Sequence, residues 1–155
     1  MRLGIYGGTF DPVHYGHLLL AEQCREQCPL DAVWFVPAGK PPHKQARGIN
    51  SAAARIDMLE LALAGCREFS ISRIEIDREG LSYTVDTLQS LVDEDNSREL
   101  LLLIGADSLA DFPTWREPQR ILELATVVVV NRGRFDERQL LADAPELGSH
   151  GERIQ

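Results

Sequence analysis

The residue types best suited to chemistry lie close together near the start of the chain, in Gly7-Gly8-Thr9-Phe10-Asp11-Pro12-Val13-His14-Tyr15-Gly16-His17. Two glycines follow a short apolar run, so a ligand can come up to the backbone there without meeting a side chain. The segment then enters a helix, whose free N–H groups and dipole favour an anion. His14 and His17 are three residues apart, a spacing at which both can turn to one ligand. A single histidine at a helix start is ordinarily a packed or exposed side chain. A pair at HxGH spacing behind a strand and two glycines points instead to a functional role. Neither GxGxxG nor GxxxxGK[ST] is present, so the segment is neither the usual dinucleotide fingerprint nor a P-loop. A metal site would need a third ligand, and none lies nearby in the sequence.

Three further segments carry chemistry. Pro37-Ala38-Gly39-Lys40-Pro41-Pro42-His43-Lys44 is a proline-stiffened loop with two lysines and a histidine. Over a crevice it suits polyphosphate, and elsewhere it is only a solvated charge run. Gly105-Ala106-Asp107-Ser108 follows an apolar strand; Asp107 can accept hydrogen bonds from a sugar or cap the next helix. Trp115 and Arg116 lie just beyond Phe112-Pro113-Thr114. The indole is either a core residue or a platform for a flat ring.

These groups need a frame. The chain has 155 residues, enough for one domain with a sizeable core. Its net charge of −8 argues against a nucleic-acid surface, so any phosphate would be held by a few focused donors. Three cysteines, Cys24, Cys28 and Cys66, form no CxxC pair, which argues against a disulfide framework or zinc site. Cys24 and Cys28 share a helix face and read as small buried side chains. No signal peptide or membrane-length apolar run is evident, so cytoplasm is the expected location.

Along the chain the periodicity alternates between strand and helix. Strands are expected at Arg2–Tyr6, Ala32–Val36, Phe69–Ile71, Glu99–Ile104 and Thr126–Val130. Helices are expected at His14–Gln27, Ala52–Ala64 (with Ser51 as cap and an apolar stripe of Ile56, Leu59 and Leu63), Tyr83–Val92, Asp107–Phe112 and Pro118–Leu124. Arg73–Gly80 either extends the third strand or forms a loop, and a helical turn is expected around Glu137–Ala142. The pattern gives one doubly wound α/β domain with a parallel sheet of about five strands. Ligands then sit at the carboxyl ends of the strands, after Tyr6, Val36, Ile104 and Val130.

Together, GGTFDPVHYGH (7–17), VPAGKPPHK (36–44), SYTVDTL (82–88), IGADSLADFPTW (104–115) and VVVNRGR (128–134) resemble the HxGH nucleotidylyltransferases. SYTVDTL and FPTW are similar, within that group, to the bacterial nicotinate-mononucleotide adenylyltransferases. The likeness spans residues 1–134, a Rossmann-like core, and leaves 135–155 as a polar tail. Family members carry an ISSTxIR-type segment near their C-terminus that gives Ser/Thr and Arg to the triphosphate. No such segment follows Arg132 here: either the chain is shortened, or another group replaces that motif, with Arg134, Arg138 and Arg153 as candidates.

The resemblance implies transfer of AMP from ATP to nicotinate mononucleotide, with Mg²⁺ accompanying the triphosphate. It implies that Gly7, Gly8, Thr9 and Phe10 line the nucleotide site through their backbone, and that His14 and His17 hold the phosphates. Lys44, helped by Lys40 or His43, would contact phosphate. Gly105 and Asp107 would meet the adenosine, with Arg132 beside the adenine. Tyr83, Thr84 and Trp115 would surround the pyridine ring. No membrane or nucleic-acid partner is expected. The mononucleotide phosphate is already an ionised nucleophile, which fits the absence of any serine, cysteine or base arranged for covalent catalysis. Alternatives are AMP or CMP transfer to other phosphates such as phosphopantetheine or glycerol phosphate, the nicotinamide mononucleotide as acceptor, and a nucleotide-binding module without turnover.

Overall fold

A computed structural model describes residues 1–39 and 48–130 and the strand at residues 151–154. Six parallel strands form one sheet: β1 (Arg2–Gly8), β2 (Ala32–Pro37), β3 (Phe69–Ile71), β4 (Glu99–Gly105), β5 (Thr126–Val130) and β6 (Gly151–Ile154). Their order is β3-β2-β1-β4-β5-β6, that of doubly wound dinucleotide-binding sheets. Five helices connect them: α1 (Tyr15–Gln27), α2 (Ala52–Leu63), α3 (Thr84–Glu94), α4 (Ala106–Asp111) and α5 (Pro118–Leu124). None of the described helices is long and apolar enough to cross a membrane.

The sheet is covered on both faces, and β4 shows how the sequence achieves it. Leu100, Leu102 and Ile104 pack with α3, α4 and α5 residues such as Leu88, Leu109 and Ile121. Leu101 and Leu103 point the other way, toward Leu20, Cys24 and Leu59 on α1 and α2. A strand buried on both faces must be apolar at every position, which is why Leu100–Ile104 is an unbroken run. Each such side chain contributes roughly 1.5–3 kcal/mol on burial. Cys24 and Cys28 are buried, and burial pushes the Cys24 thiol up to about 12.

The doubly wound parallel architecture is as the sequence predicts, with one addition. Residues 151–154, placed by hydropathy in a polar tail, pair in parallel with β5 from Val127↔Gly151 to Val130↔Ile154. Such pairing uses backbone N–H and C=O groups, which hydropathy does not register. The expected helical turn around Glu137–Ala142 lies outside the described residues. Arg73–Gly80 forms turns and not a strand extension. The helix expected from His14 begins at Tyr15, because His14 is its cap, and the one expected from Tyr83 begins at Thr84 for the same reason.

Candidate active site

The order in which strands are added to the sheet reverses between β1 and β4. β1 is followed by a connection to β2 on one side, while β4, its other neighbour, leads on to β5. The loops therefore part above these two strand ends and leave a crevice. An open cleft of about 870 Å³ lies there. Gly7 and Gly8 at the end of β1 and Gly105 at the end of β4 line it, as do His14, His17 and Trp115. Among the described residues, a methyl group placed on Gly105 would meet nothing within 4 Å, and one on Gly7 nothing nearer than 3.9 Å, so both face the cleft.

The two histidines form a reciprocal cap on α1. The Gly16 N–H donates to His14 Nδ1 at 3.1 Å, and the His14 N–H donates to His17 Nδ1 at 3.1 Å. The imidazoles stack with centroids 3.8 Å apart and planes 26° from parallel. Each Nδ1 is an acceptor, so in the neutral ring the proton sits on Nε2. Phe10 supports the pair from below: its buried ring meets His17 edge-on at 5.1 Å and Tyr6 at 5.4 Å. Its backbone has φ of 48°, the left-handed region, which is strained for an aromatic residue.

The loop carrying Phe10 is tied down by a residue that the motifs did not reveal. Arg55 on α2 is 2% exposed. Its Nη1 donates to the carbonyls of Thr9 at 3.0 Å and Ala38 at 2.7 Å, and its Nε to Asn50 at 3.1 Å. Asp11 in turn accepts from the Asn50 backbone N–H at 2.8 Å and from its side-chain amide at 2.6 Å. A signal for Arg55 was present in the sequence: with Leu59 and Leu63 it forms a ridge at four-residue spacing along the apolar face of α2.

At the other end of the cleft, Tyr83 precedes α3 with no side-chain hydrogen bond capping that helix. The Arg116 guanidinium lies 4.6 Å above the Tyr83 ring centroid. Trp115 packs against Phe112 at 5.3 Å and also lines the cleft, so it is both a partner of the core and a wall of the site. Beneath them, the Thr87 hydroxyl donates to Glu75 Oε1 at 2.8 Å and receives Arg78 Nη1 at 3.1 Å. Burial holds the Glu75 carboxyl above its ordinary range, against smaller opposing effects of Thr87 and Arg78. This network was not anticipated, because RIEIDREG alternates like a strand yet folds as turns that deliver Glu75 to the cleft.

The structure thus brings together Gly7, Gly8, Thr9, Phe10, His14, His17, Tyr83, Thr84, Gly105, Asp107 and Trp115 around one crevice. Asp107 is exposed in the first turn of α4 and does not cap it, since Gly105 occupies that position. Lys40, His43, Lys44, Arg132, Arg134 and Arg138 lie outside the described residues, as does the side chain of Arg153. Among the described residues, no group of three or more His, Cys, Asp or Glu side chains is placed to hold a metal ion.

A parallel sheet with a glycine-lined crevice at its switch point and an HxGH pair at the mouth defines a Rossmann-like α/β domain of nucleotidylyltransferase type. The chain belongs to the cytidylyltransferase-like family, whose model matches residues 5–151. It is 53% identical over 131 residues to a protein of Thermomicrobium roseum named "Probable nicotinate-nucleotide adenylyltransferase", covering 84% of this chain and 61% of that one. Proteins of the same name from Clostridium botulinum and Desulfitobacterium hafniense are 44% and 42% identical, covering 90% and 96% of this chain and 69% and 74% of theirs. The chain therefore spans about three-fifths to three-quarters of the length of these relatives. Among solved structures, the nicotinic acid mononucleotide adenylyltransferase of Plasmodium falciparum complexed with NaAD superposes with a TM-score of 0.83 at 18% identity, over 99% of this chain and 74% of that one. At that identity the likeness is one of fold.

Proposed function

We propose that this chain transfers the adenylyl group of ATP to the phosphate of nicotinate mononucleotide, releasing pyrophosphate and forming nicotinate adenine dinucleotide. The observation that carries this is the pair of stacked imidazoles at the mouth of the switch-point crevice, with Nδ1 of each ring held by a backbone N–H. That arrangement points the ring proton to Nε2, as a donor for phosphate oxygens.

The mononucleotide phosphate attacks the α-phosphorus in line, and the bond to the β-phosphate oxygen breaks as pyrophosphate leaves. No proton need be removed from the nucleophile. Catalysis is then alignment plus stabilisation of shifting negative charge. His14 and His17 donate to the α-phosphate and the leaving group, and Lys44 adds a cation. Gly7, Gly8, Thr9 and Phe10 bound the phosphates through their backbone, while Gly105, Asp107 and Arg132 take the adenosine. Mg²⁺ would be carried by the triphosphate oxygens and neutralise charge there.

Tyr83, Thr84 and Trp115 bound the pyridine ring, with the indole as its stacking platform. The uncapped start of α3 offers N–H groups to the nicotinate carboxylate, and this favours the acid over the amide as acceptor. The setting in this proposal is the cytoplasm. Mass analysis of the product from ATP, Mg²⁺ and nicotinate mononucleotide tests the proposal. Nicotinate adenine dinucleotide supports it, and unreacted ATP after exhaustive incubation contradicts it.

A further inference from the structure

We propose that Arg55 is a positioning residue for ATP, acting through the backbone of the loop at Thr9 and Phe10; this rests on the adenylyl-transfer proposal. A buried charge ordinarily needs an opposite charge beside it. Arg55 is 2% exposed, yet its partners are three backbone carbonyls, those of Thr9, Ala38 and Asn50, and no carboxylate forms an ion pair with it among the described residues. The three carbonyls come from three separate stretches of chain, and the planar fork of the guanidinium bridges them with Nε and Nη1.

The consequence for the loop follows from peptide geometry. In a planar trans peptide the carbonyl oxygen and the next N–H point to opposite sides. Binding the Thr9 carbonyl therefore turns the Phe10 N–H away from the guanidinium. The same contact fixes the left-handed backbone of Phe10, whose ring carries His17. A second tie, from the Ala38 N–H to the Gly8 carbonyl at 2.8 Å, joins the two loops that Arg55 spans. Among the described residues, the hydrogen bonds of Arg55 go to Thr9, Ala38 and Asn50 and to none of Tyr83, Thr84 or Trp115. Its loss is thus expected to weaken ATP binding and spare the mononucleotide.

The test compares the full chain with Arg55→Met, which keeps length without charge, and Arg55→Lys, which keeps charge without the fork. Calorimetry with MgATP and with nicotinate mononucleotide is paired with hydrogen exchange of peptides over residues 7–12. In each variant that folds by circular dichroism, the Kd for ATP is expected to rise about tenfold or more for Met and less for Lys, with mononucleotide affinity within about twofold. Exchange over residues 7–12 is expected to quicken while α3 is unchanged. If Arg55→Met does not fold, Arg55→Lys decides by the same readouts. A folded variant with native ATP affinity and native loop exchange overturns the proposal, and so does equal loss for both ligands. A native chain that binds neither ligand would sink the adenylyl-transfer proposal instead, and unaltered loop exchange in the variants would then count against Arg55 on its own.

Discussion

His14 and His17 hold each other's geometry: the backbone N–H of His14 donates to His17 Nδ1 at 3.1 Å, and the rings stack at 3.8 Å. Each imidazole thereby serves local structure through its Nδ1. The cap explains why the helix begins at Tyr15 and why the histidines are three residues apart: His14 Nδ1 accepts from the Gly16 N–H, and the His14 N–H reaches His17 Nδ1.

His17→Ala is expected to lower turnover by about 10²–10³-fold, the scale of losing one positioned donor in a transition state. The same change removes half of the reciprocal cap, so stability should fall by about 1 kcal/mol. Steady-state rates of pyrophosphate release, beside thermal unfolding, separate the two effects. A near-native rate would remove His17 from the mechanism.

Trp115→Ala should act on the acceptor alone. Loss of a stacking platform costs about 0.5–1.5 kcal/mol beyond buried area, so KM for the mononucleotide is expected to rise roughly tenfold. KM for ATP should hardly change. Equal effects on both substrates would mean that the indole serves the core through Phe112 and not the pyridine ring.

Two glycines offer a contrast between packing and ligand approach. A methyl group on Gly39 would run into the carbonyl of Glu75, so Gly39→Ala is expected to destabilise the fold by about 1–3 kcal/mol. Gly105→Ala meets no atom of the described residues within 4 Å. Its stability should change by less than about 1 kcal/mol, while the added methyl group intrudes on the adenosine and raises KM for ATP. Denaturant unfolding and kinetics on the two variants check this, and a destabilised Gly105→Ala with native KM would be the contrary result.

Glu75 gives a pH dependence of definite sign. Burial raises its pKa above 4.5 in the folded chain. The native state then holds the proton more tightly than the unfolded chain does. The stability this confers is fully present below pH 4.5 and is lost as pH rises through the folded value. Glu75→Gln keeps an acceptor for the Thr87 hydroxyl and abolishes the titration. Thermal midpoints of the two proteins should coincide near about pH 4 and separate toward pH 7, with the glutamine variant higher. Parallel curves would contradict the buried-carboxylate assignment.

What could be read from the sequence followed the strength of each physical signal. The buried strands were plain, because Leu100–Ile104 and Val127–Val130 are packed on both faces and admit no polar residue. The HxGH pair and the glycines were also plain, since few other purposes place them behind a strand. Arg55 was only half legible: its four-residue spacing with Leu59 and Leu63 marks it as buried, but its partners are backbone carbonyls that leave no mark on side-chain type. Glu75 was hidden: the alternation of RIEIDREG mimics a strand, and only tertiary packing against Gly39 and Thr87 shows it to be a turn. Residues 151–154 escaped notice because a short charged edge strand owes its place to backbone pairing.

The most direct measurement is the rate of pyrophosphate release by this chain with ATP and Mg²⁺, taken side by side with nicotinate mononucleotide, nicotinamide mononucleotide and phosphopantetheine as acceptors. Release with nicotinate mononucleotide as the fastest acceptor is the predicted result. Faster release with either of the others, or none with any of the three, would contradict it.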